Sequence, residues 1–320
     1  MEIKRLVAIG VGLFVVVAFS LGIGLLASIE PASAQTTQNT QDQQSATPAT
    51  NVCLACHNNP VVTSVFETAH GNSSIPGSQP AIRGCASCHG ASTAHTGAMQ
   101  APSVVFGDGS SRFPASNVQT QNQACLTCHQ TRETVHWTAS VHQSADLSCA
   151  SCHTVHAGHN AVLNQLNDSS ICLSCHLEQR SQLNRRSHHP VTEGLMSCND
   201  CHNPHGSDTV ALLSRSTVNE TCTGCHAEKR GPFLWEHQPV SEDCTTCHNP
   251  HGSTQASMLA TRQPFLCQTC HAEAFHPSTL YSGTGLPPAG AQQNLLGASC
   301  TNCHLAVHGS NHPSGSRLTR

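Results

Sequence analysis

The sequence predicts loops and short α-helices, with little or no β structure, folded around something other than its own side chains. Three observations carry that expectation. The chain of 320 residues holds 20 cysteines and 24 histidines, but only 8 Phe, 2 Trp and 1 Tyr. With residues 1–34 set aside, Leu, Ile, Val and Phe supply 45 of the remaining 286 residues. That is below the roughly 20% under which a chain rarely builds a core from side chains alone. The formal net charge is −4, too small for the highly charged composition of a disordered chain. Past residue 34 the only lysine is Lys229, so no basic patch points to nucleic acid.

Residues 1–34 read as a signal peptide. Lys4 and Arg5 precede an uncharged run from Leu6 to Ile29, and Ala32-Ser33-Ala34 forms a small-x-small cleavage site before Gln35. An uncleaved membrane anchor is the alternative, since the run is long enough to span a bilayer. In both cases the body of the chain is exported. Residues 35–50, rich in Gln, Thr, Ser and Ala without apolar periodicity, read as a flexible leader.

All 20 cysteines then fall into ten frames of the form Cys-x-x-Cys-His. The cysteine pairs are Cys53/Cys56, Cys85/Cys88, Cys125/Cys128, Cys149/Cys152, Cys172/Cys175, Cys198/Cys201, Cys222/Cys225, Cys244/Cys247, Cys267/Cys270 and Cys300/Cys303. The closing histidines are His57, His89, His129, His153, His176, His202, His226, His248, His271 and His304. This is the attachment signal for c-type haem. Two thiols add to the two vinyl groups on one porphyrin edge, and the next imidazole reaches the iron from one face. Zinc ribbons, thioredoxin-like motifs and a disulfide scaffold also use paired cysteines, but none requires a histidine after every pair. Histidines scattered at their overall frequency would fill all ten positions with a probability of about 10⁻¹¹. The expectation is ten covalently bound haem c groups. At 286/10, or about 29 residues per haem, the haems themselves must be the packed interior.

Fourteen histidines lie outside the frames, against at most ten second axial positions. Methionine, the usual rival, is scarce, so bis-histidine ligation is the economical expectation. Cys-His-Asn-Pro-His-Gly-Ser occurs twice, with His202/His205 and His248/His251, and His153/His156 is a shorter analogue. Three residues reach at most about 10 Å. The second histidine therefore cannot easily round the porphyrin to its own iron, and a neighbouring haem is the expected partner, reached through an Asn-Pro turn. A short helix is expected around 170–184. Two runs of five frames suggest tandem pentahaem halves, 51–185 and 186–320, with the haems in a linear chain. The fold class is that of a multihaem cytochrome c.

Longer motifs resemble a known family. "HAEKRGPFLWEHQPVSEDCTTCHNPHGS", "TRQPFLCQTCHAE" and "SCTNCHLAVHGSNHPSG" are similar to decahaem periplasmic cytochromes of the MtrA/DmsE type, and "VFETAHG", "SADLSCASCHTVH" and "NRRSHHP" agree more loosely. The resemblance implies a bis-histidine haem wire seated in an outer-membrane β-barrel porin. Its implied partners are a periplasmic or inner-membrane cytochrome donor and an extracellular multihaem cytochrome or terminal reductase. Metal oxide or dimethyl sulfoxide respiration, or iron oxidation, would be served. The family's distal-type contexts fall on His70, His95, His142, His156, His189, His205, His237, His251, His276, and on His308 or His312. The His-Gly-Ser context shared with His205 and His251 favours His308. His136, His159 and His188 are then surplus.

Three function classes remain. An electron conduit needs every iron six-coordinate, leaves no site for a substrate and makes the chain no enzyme. A nitrite- or hydroxylamine-type reductase keeps one iron open, whereas every frame here ends in histidine. A soluble periplasmic shuttle or haem-filament subunit would share the composition of a conduit but need no barrel.

Overall fold

The computed structural model describes residues 48–271, apart from 77, 79–82, 109–111, 132 and 165–167, and residues 299–320. His276 lies outside the described residues. Among those described the longest helix is Val118–Leu126, with nine residues. No strand forms among them, and β pairing is confined to isolated bridges. No helix among them is long and apolar enough to cross a membrane.

The ten frames take two alternating local structures. The first, third, fifth, seventh and ninth begin inside α-helices: Pro48–Leu54, Val118–Leu126, Asp168–Cys175, Val218–Thr223 and Phe265–Gln268. The fourth, sixth, eighth and tenth open single 3₁₀ turns: Cys149–Ser151, Cys198–Asp200, Cys244–Thr246 and Cys300–Asn302. The second sits on the short α-helix Ala86–His89.

The residue before the first cysteine accounts for most of this alternation. It is Val52, Ala124, Ile171, Thr221 or Leu266 in odd frames, and Gly84, Ser148, Ser197, Asp243 or Ser299 in even ones. A small polar residue there caps a helix that starts at the cysteine. Ser148 and Ser151 form a reciprocal capping box. The Ser197 N–H donates to Asp200 Oδ2 at 2.8 Å, and the Thr245 N–H donates to Asp243 Oδ1 at 2.7 Å. Odd-frame helices are capped a turn or two upstream, as where Thr120 N–H donates to Asn117 Oδ1 at 2.8 Å and Glu220 N–H to Thr217 Oγ1 at 3.0 Å.

Two expectations change. The helix Pro48–Leu54 takes in the last three residues of the segment expected to be a flexible leader, 35–50, and Thr50 is buried. The helix expected around 170–184 divides at His176, whose ψ of 68° leaves the helical path between Asp168–Cys175 and Leu177–Leu183.

The side chains close no core of their own. The buried hydrophobic residues among those described are Val105, Trp137, Leu173, Leu183 and Leu318, and none is fully buried. Leu163 and Val210 stand 78% and 74% exposed, so apolar surface remains for a large apolar group to cover. Frame elements pack in sequence order. Val118–Leu126 touches both Ala86–His89 and Cys149–Ser151; Asp168–Cys175 meets Cys198–Asp200, and Val218–Thr223 meets Cys244–Thr246.

Candidate haem-binding site

Nine of the ten frame histidines face one histidine from outside the frames. The ring centroids of His57 and His95 are 6.0 Å apart, those of His129 and His70 5.9 Å, and those of His89 and His156 6.3 Å. His153 faces His205 at 5.8 Å, His176 faces His142 at 6.1 Å, and His202 faces His251 at 6.1 Å. His226 faces His189 at 6.3 Å, His271 faces His237 at 6.1 Å, and His248 faces His308 at 6.1 Å. These separations are nearly constant. A metal–imidazole bond of about 2 Å on each side, plus about 1 Å from each nitrogen to its ring centre, sums to about 6 Å. The pairs therefore fit a metal held between two imidazoles, as in bis-histidine haem.

The Nδ1 atoms point the same way. In even frames the closing histidine has an Nδ1 partner. His89 uses Val104 O at 3.2 Å, His202 uses Ala211 O at 2.7 Å, His248 uses Ser257 O at 2.8 Å and His304 uses Arg317 O at 2.6 Å. Asn160 stands 3.0 Å from His153 Nδ1 with its amide nitrogen, while its Oδ1 is buried without a partner. Turning that amide over satisfies both groups. In four odd frames the remote histidine is held instead. His95 bonds to Gln100 O at 2.6 Å, His142 to Pro204 O at 2.7 Å, His189 to Pro250 O at 2.7 Å and His237 to Val307 O at 2.9 Å. An Nδ1–H given to a carbonyl fixes the tautomer and leaves Nε2 as the ligating nitrogen. Burial is the main cause that lowers the pKa of His70, His89, His153, His205, His251 and His308, favouring the neutral form a metal requires.

The Asn-Pro-His-Gly-Ser segments leave their own frames, as the reach argument requires, and go two frames back. His156, His205, His251 and His308 follow frames four, six, eight and ten; their partners His89, His153, His202 and His248 close frames two, four, six and eight. Asn203 and Asn249 make the turns, accepting the N–H of His205 and His251 at 3.1 and 3.2 Å. The acceptor carbonyls of Ala211 and Ser257 belong to residues held at φ 54°, left-handed backbone that a non-glycine residue adopts at a cost.

His312 has no ring partner among the described residues and serves locally, with its carbonyl accepting from Trp235 Nε1 at 3.1 Å and its Nδ1 from the Ser314 N–H at 3.1 Å. His188 bonds to Glu193 Oε1 at 3.0 Å, which raises its pKa. Neither His136 nor His159 stands against a described frame histidine.

The cysteines order the frames in space. First cysteines join odd frames to the even frames that follow: Cys53 stands beside Cys85, Cys125 beside Cys149, Cys222 beside Cys244, and Cys267 beside Cys300. Cys125, as its neighbour, holds the Cys149 thiol down at about 7. Second cysteines of even frames meet the next odd frame. Burial pushes up the thiols of Cys88, Cys152, Cys201 and Cys247, and the charges of Cys128, Cys172, Cys225 and Cys270 respectively push the same way, with Asp200 adding to the effect at Cys201. The packing of Asp168–Cys175 on Cys198–Asp200 supplies the junction of frames five and six.

Two of the twenty expected attachment cysteines stand outside this order. Cys56 and Cys303 are exposed, and neither joins a cysteine of another frame among the described residues. The structure therefore does not bring them together with the others. An even frame's second cysteine is half-buried because the next odd frame covers it, as at Cys88, Cys152, Cys201 and Cys247. Cys56 shares its exposure with the second cysteines of the other odd frames, Cys128, Cys175, Cys225 and Cys270. Their local backbone is nonetheless that of the other frames: the Cys56 N–H donates to the Cys53 carbonyl at 3.1 Å, and the Cys303 N–H to the Cys300 carbonyl at 3.2 Å.

Residues that motif reading missed hold the junctions. Asn122 Oδ1 accepts the Cys149 N–H at 2.8 Å, and Asn219 Oδ1 accepts the Cys244 N–H at 2.9 Å. Gln263 Oε1 takes Thr301 N–H at 3.3 Å and the Ser299 hydroxyl. A signal was present: both asparagines stand three residues before an odd-frame cysteine.

Comparison with known proteins agrees with this geometry. The doubled CXXCH motif family matches residues 188–231 and 237–276, each span holding an even frame and the odd frame after it. The NrfB-like c-type cytochrome family matches residues 85–171. The multiheme cytochrome MtrA of Shewanella baltica is 47% identical over 273 residues, covering 84% of this chain and 80% of that protein. The c-type cytochrome NrfB of Haemophilus influenzae is 35% identical over 127 residues, or 37% of this chain and 54% of that protein.

Proposed function

Because the chain belongs to the MtrA family of multihaem c-type cytochromes, we propose that it conducts electrons end to end along ten covalently bound haems inside an outer-membrane β-barrel porin. It is an electron-transfer protein carrying covalently bound haem c, and not an enzyme. The observation that carries the conduit reading is the junction of successive frames in sequence order, through cysteines everywhere except between frames five and six, where Asp168–Cys175 packs on Cys198–Asp200. Each thioether would lie on a porphyrin edge, so adjoining cysteines bring successive edges together in sequence order. Cys56 and Cys303 belong to the first and tenth frames of that order, where a conduit would exchange electrons with its partners.

Bound haem c supplies the one-electron iron couple. The chain's own residues do the rest. The frame cysteines anchor, and the frame histidines His57, His89, His129, His153, His176, His202, His226, His248, His271 and His304 are the proximal ligands. Their nine facing histidines are the distal ligands. His276 is the distal candidate left for His304, since His308 faces His248 and His312 faces no described frame histidine. Carbonyl partners at Nδ1 keep the imidazoles oriented and raise their basicity, which favours the oxidised iron. Two ligands at each iron exclude substrate.

The signal-like N-terminus supports export to the periplasm. Donors there and an extracellular cytochrome or acceptor would stand at the two ends. Reconstitution with the barrel protein in liposomes enclosing a redox dye tests the reading. Electrons are expected to cross only when cytochrome and barrel are both present. A cytochrome that purifies alone from washed periplasm, and passes no electrons across proteoliposomes, overturns it in favour of a soluble shuttle.

A further inference from the structure

We propose that each Asn-Pro-His-Gly-Ser segment, and its C-terminal counterpart at 306–310, is a two-haem positioning device: its histidine ligates one haem while the carbonyl just before that histidine orients the distal ligand of the next. This rests on the ligand assignment above and goes beyond it. Three copies show the same construction. His205 faces His153 of frame four, and Pro204 O receives Nδ1 of His142, which faces His176 of frame five. His251 faces His202 of frame six, and Pro250 O receives Nδ1 of His189, which faces His226 of frame seven. His308 faces His248 of frame eight, and Val307 O receives Nδ1 of His237, which faces His271 of frame nine.

The glycine after each histidine is what lets the segment lie this close. Gly206, Gly252 and Gly309 have φ of 118°, 144° and 125°, a region that L side chains rarely adopt. A Cβ at Gly206 would collide with the His136 carbonyl, one at Gly252 with the Gln182 carbonyl, and one at Gly309 with the Phe233 ring. Antiparallel bridges Ser187↔Ser253 and Trp235↔Ser310 tie two of the segments to the stretch carrying the oriented histidine. The segment therefore cannot shift at one haem without shifting at both. A positional change at one iron is transmitted to its neighbour, and the axial geometry of haems four and five, six and seven, and eight and nine is set in pairs.

The full-length holoprotein tests this, with covalent haem content by mass spectrometry as the maturation control and low-spin haem counted by EPR spin quantification. His251→Ala and His189→Ala are each expected to lose one haem's worth of bis-histidine signal. Gly252→Ala, which removes no ligand, is expected to lose or shift the signal of two. Gly206→Ala repeats the measurement on haems four and five if Gly252→Ala matures poorly. If both histidine variants lose one haem each and the glycine variants disturb one or none, the coupling is overturned and the ligand assignment stands. If either histidine variant loses none, the assignment fails and the proposal with it.

Discussion

Asn122 offers the sharpest test of how the frames are held together. It is 3% exposed, and it commits both ends of its amide to the fourth frame. Oδ1 accepts the Cys149 N–H at 2.8 Å, and Nδ2 donates to the Leu147 carbonyl at 3.1 Å. Asn122→Ala removes the partner of both groups at a buried side chain. A buried donor or acceptor left unpaired costs about 1–3 kcal/mol, so the variant should lose about 2–4 kcal/mol of unfolding free energy. Asn122→Asp keeps the acceptor and loses the donor, setting a carboxylate against the Leu147 carbonyl, and should fall between. Asn219 makes the equivalent bond to Cys244 but is only half-buried, so Asn219→Ala should cost less. Denaturant unfolding of the holoprotein, followed by far-ultraviolet circular dichroism, reads the order. If Asn122→Ala falls within about 0.5 kcal/mol of the parent, as an ordinary surface change does, the junction is not held by this side chain.

The remaining predictions concern the irons. His308→Ala should convert one haem from the six-coordinate low-spin state, whereas His312→Ala should leave the spectrum unchanged; the reverse pattern would reassign the haem of frame eight. His276→Ala should likewise cost one low-spin haem, that of frame ten, measured by spin quantification at unchanged covalent haem content. Ring planes cross at 63° for His70/His129 and 75° for His142/His176, but at 16° to 26° for His57/His95, His153/His205, His202/His251, His237/His271 and His248/His308. Steeply crossed imidazoles give the large-g low-spin EPR signal and near-parallel ones the rhombic signal. The rhombic species should therefore dominate, and His142→Ala should remove intensity only from the large-g component.

The attachment chemistry was legible because it is local: two thiols and an imidazole at fixed spacing. That same local motif says nothing of which cysteines are covered by a neighbouring frame: all twenty read alike, although the structure leaves Cys56, Cys128, Cys175, Cys225, Cys270 and Cys303 exposed and the others half-buried. The shortage of a side-chain core was legible because it is composition. The pairing of imidazoles was not, because it joins residues as far apart as His89 and His156, and nothing in the spacing says that the segment after a frame reaches two frames back. The choice of His308 over His312 lay between these cases. A motif shared with His205 and His251 favoured it, and the reason is the glycine at 309, which lets the segment approach Phe233. The alternation of frame types was written one residue before each cysteine, where a Ser or Asp cap marks a 3₁₀ turn, but it lay outside the five-residue motif.

The backward reach explains why so little chain suffices, and why the two ends differ. On the proposed ligands, the haems of frames two, four, six and eight would each be completed by a segment that follows the frame two places later, so each two-frame unit would finish the interior of the unit before it. That is the logic of a repeat array, in which no unit is complete alone and the terminal ones need other provision. Frame one has no earlier unit to draw on, and His57 faces His95, which comes after frame two. Frame ten has no later frame. The Nδ1 of His304 is held by Arg317 of the C-terminal tail, where Ala211 and Ser257 serve the interior copies nine residues after their own histidines. Leu318 of that tail is buried, and its φ of 53° matches Leu212 and Met258 of the same loops. The 304–317 segment is thus the interior loop lengthened by four residues.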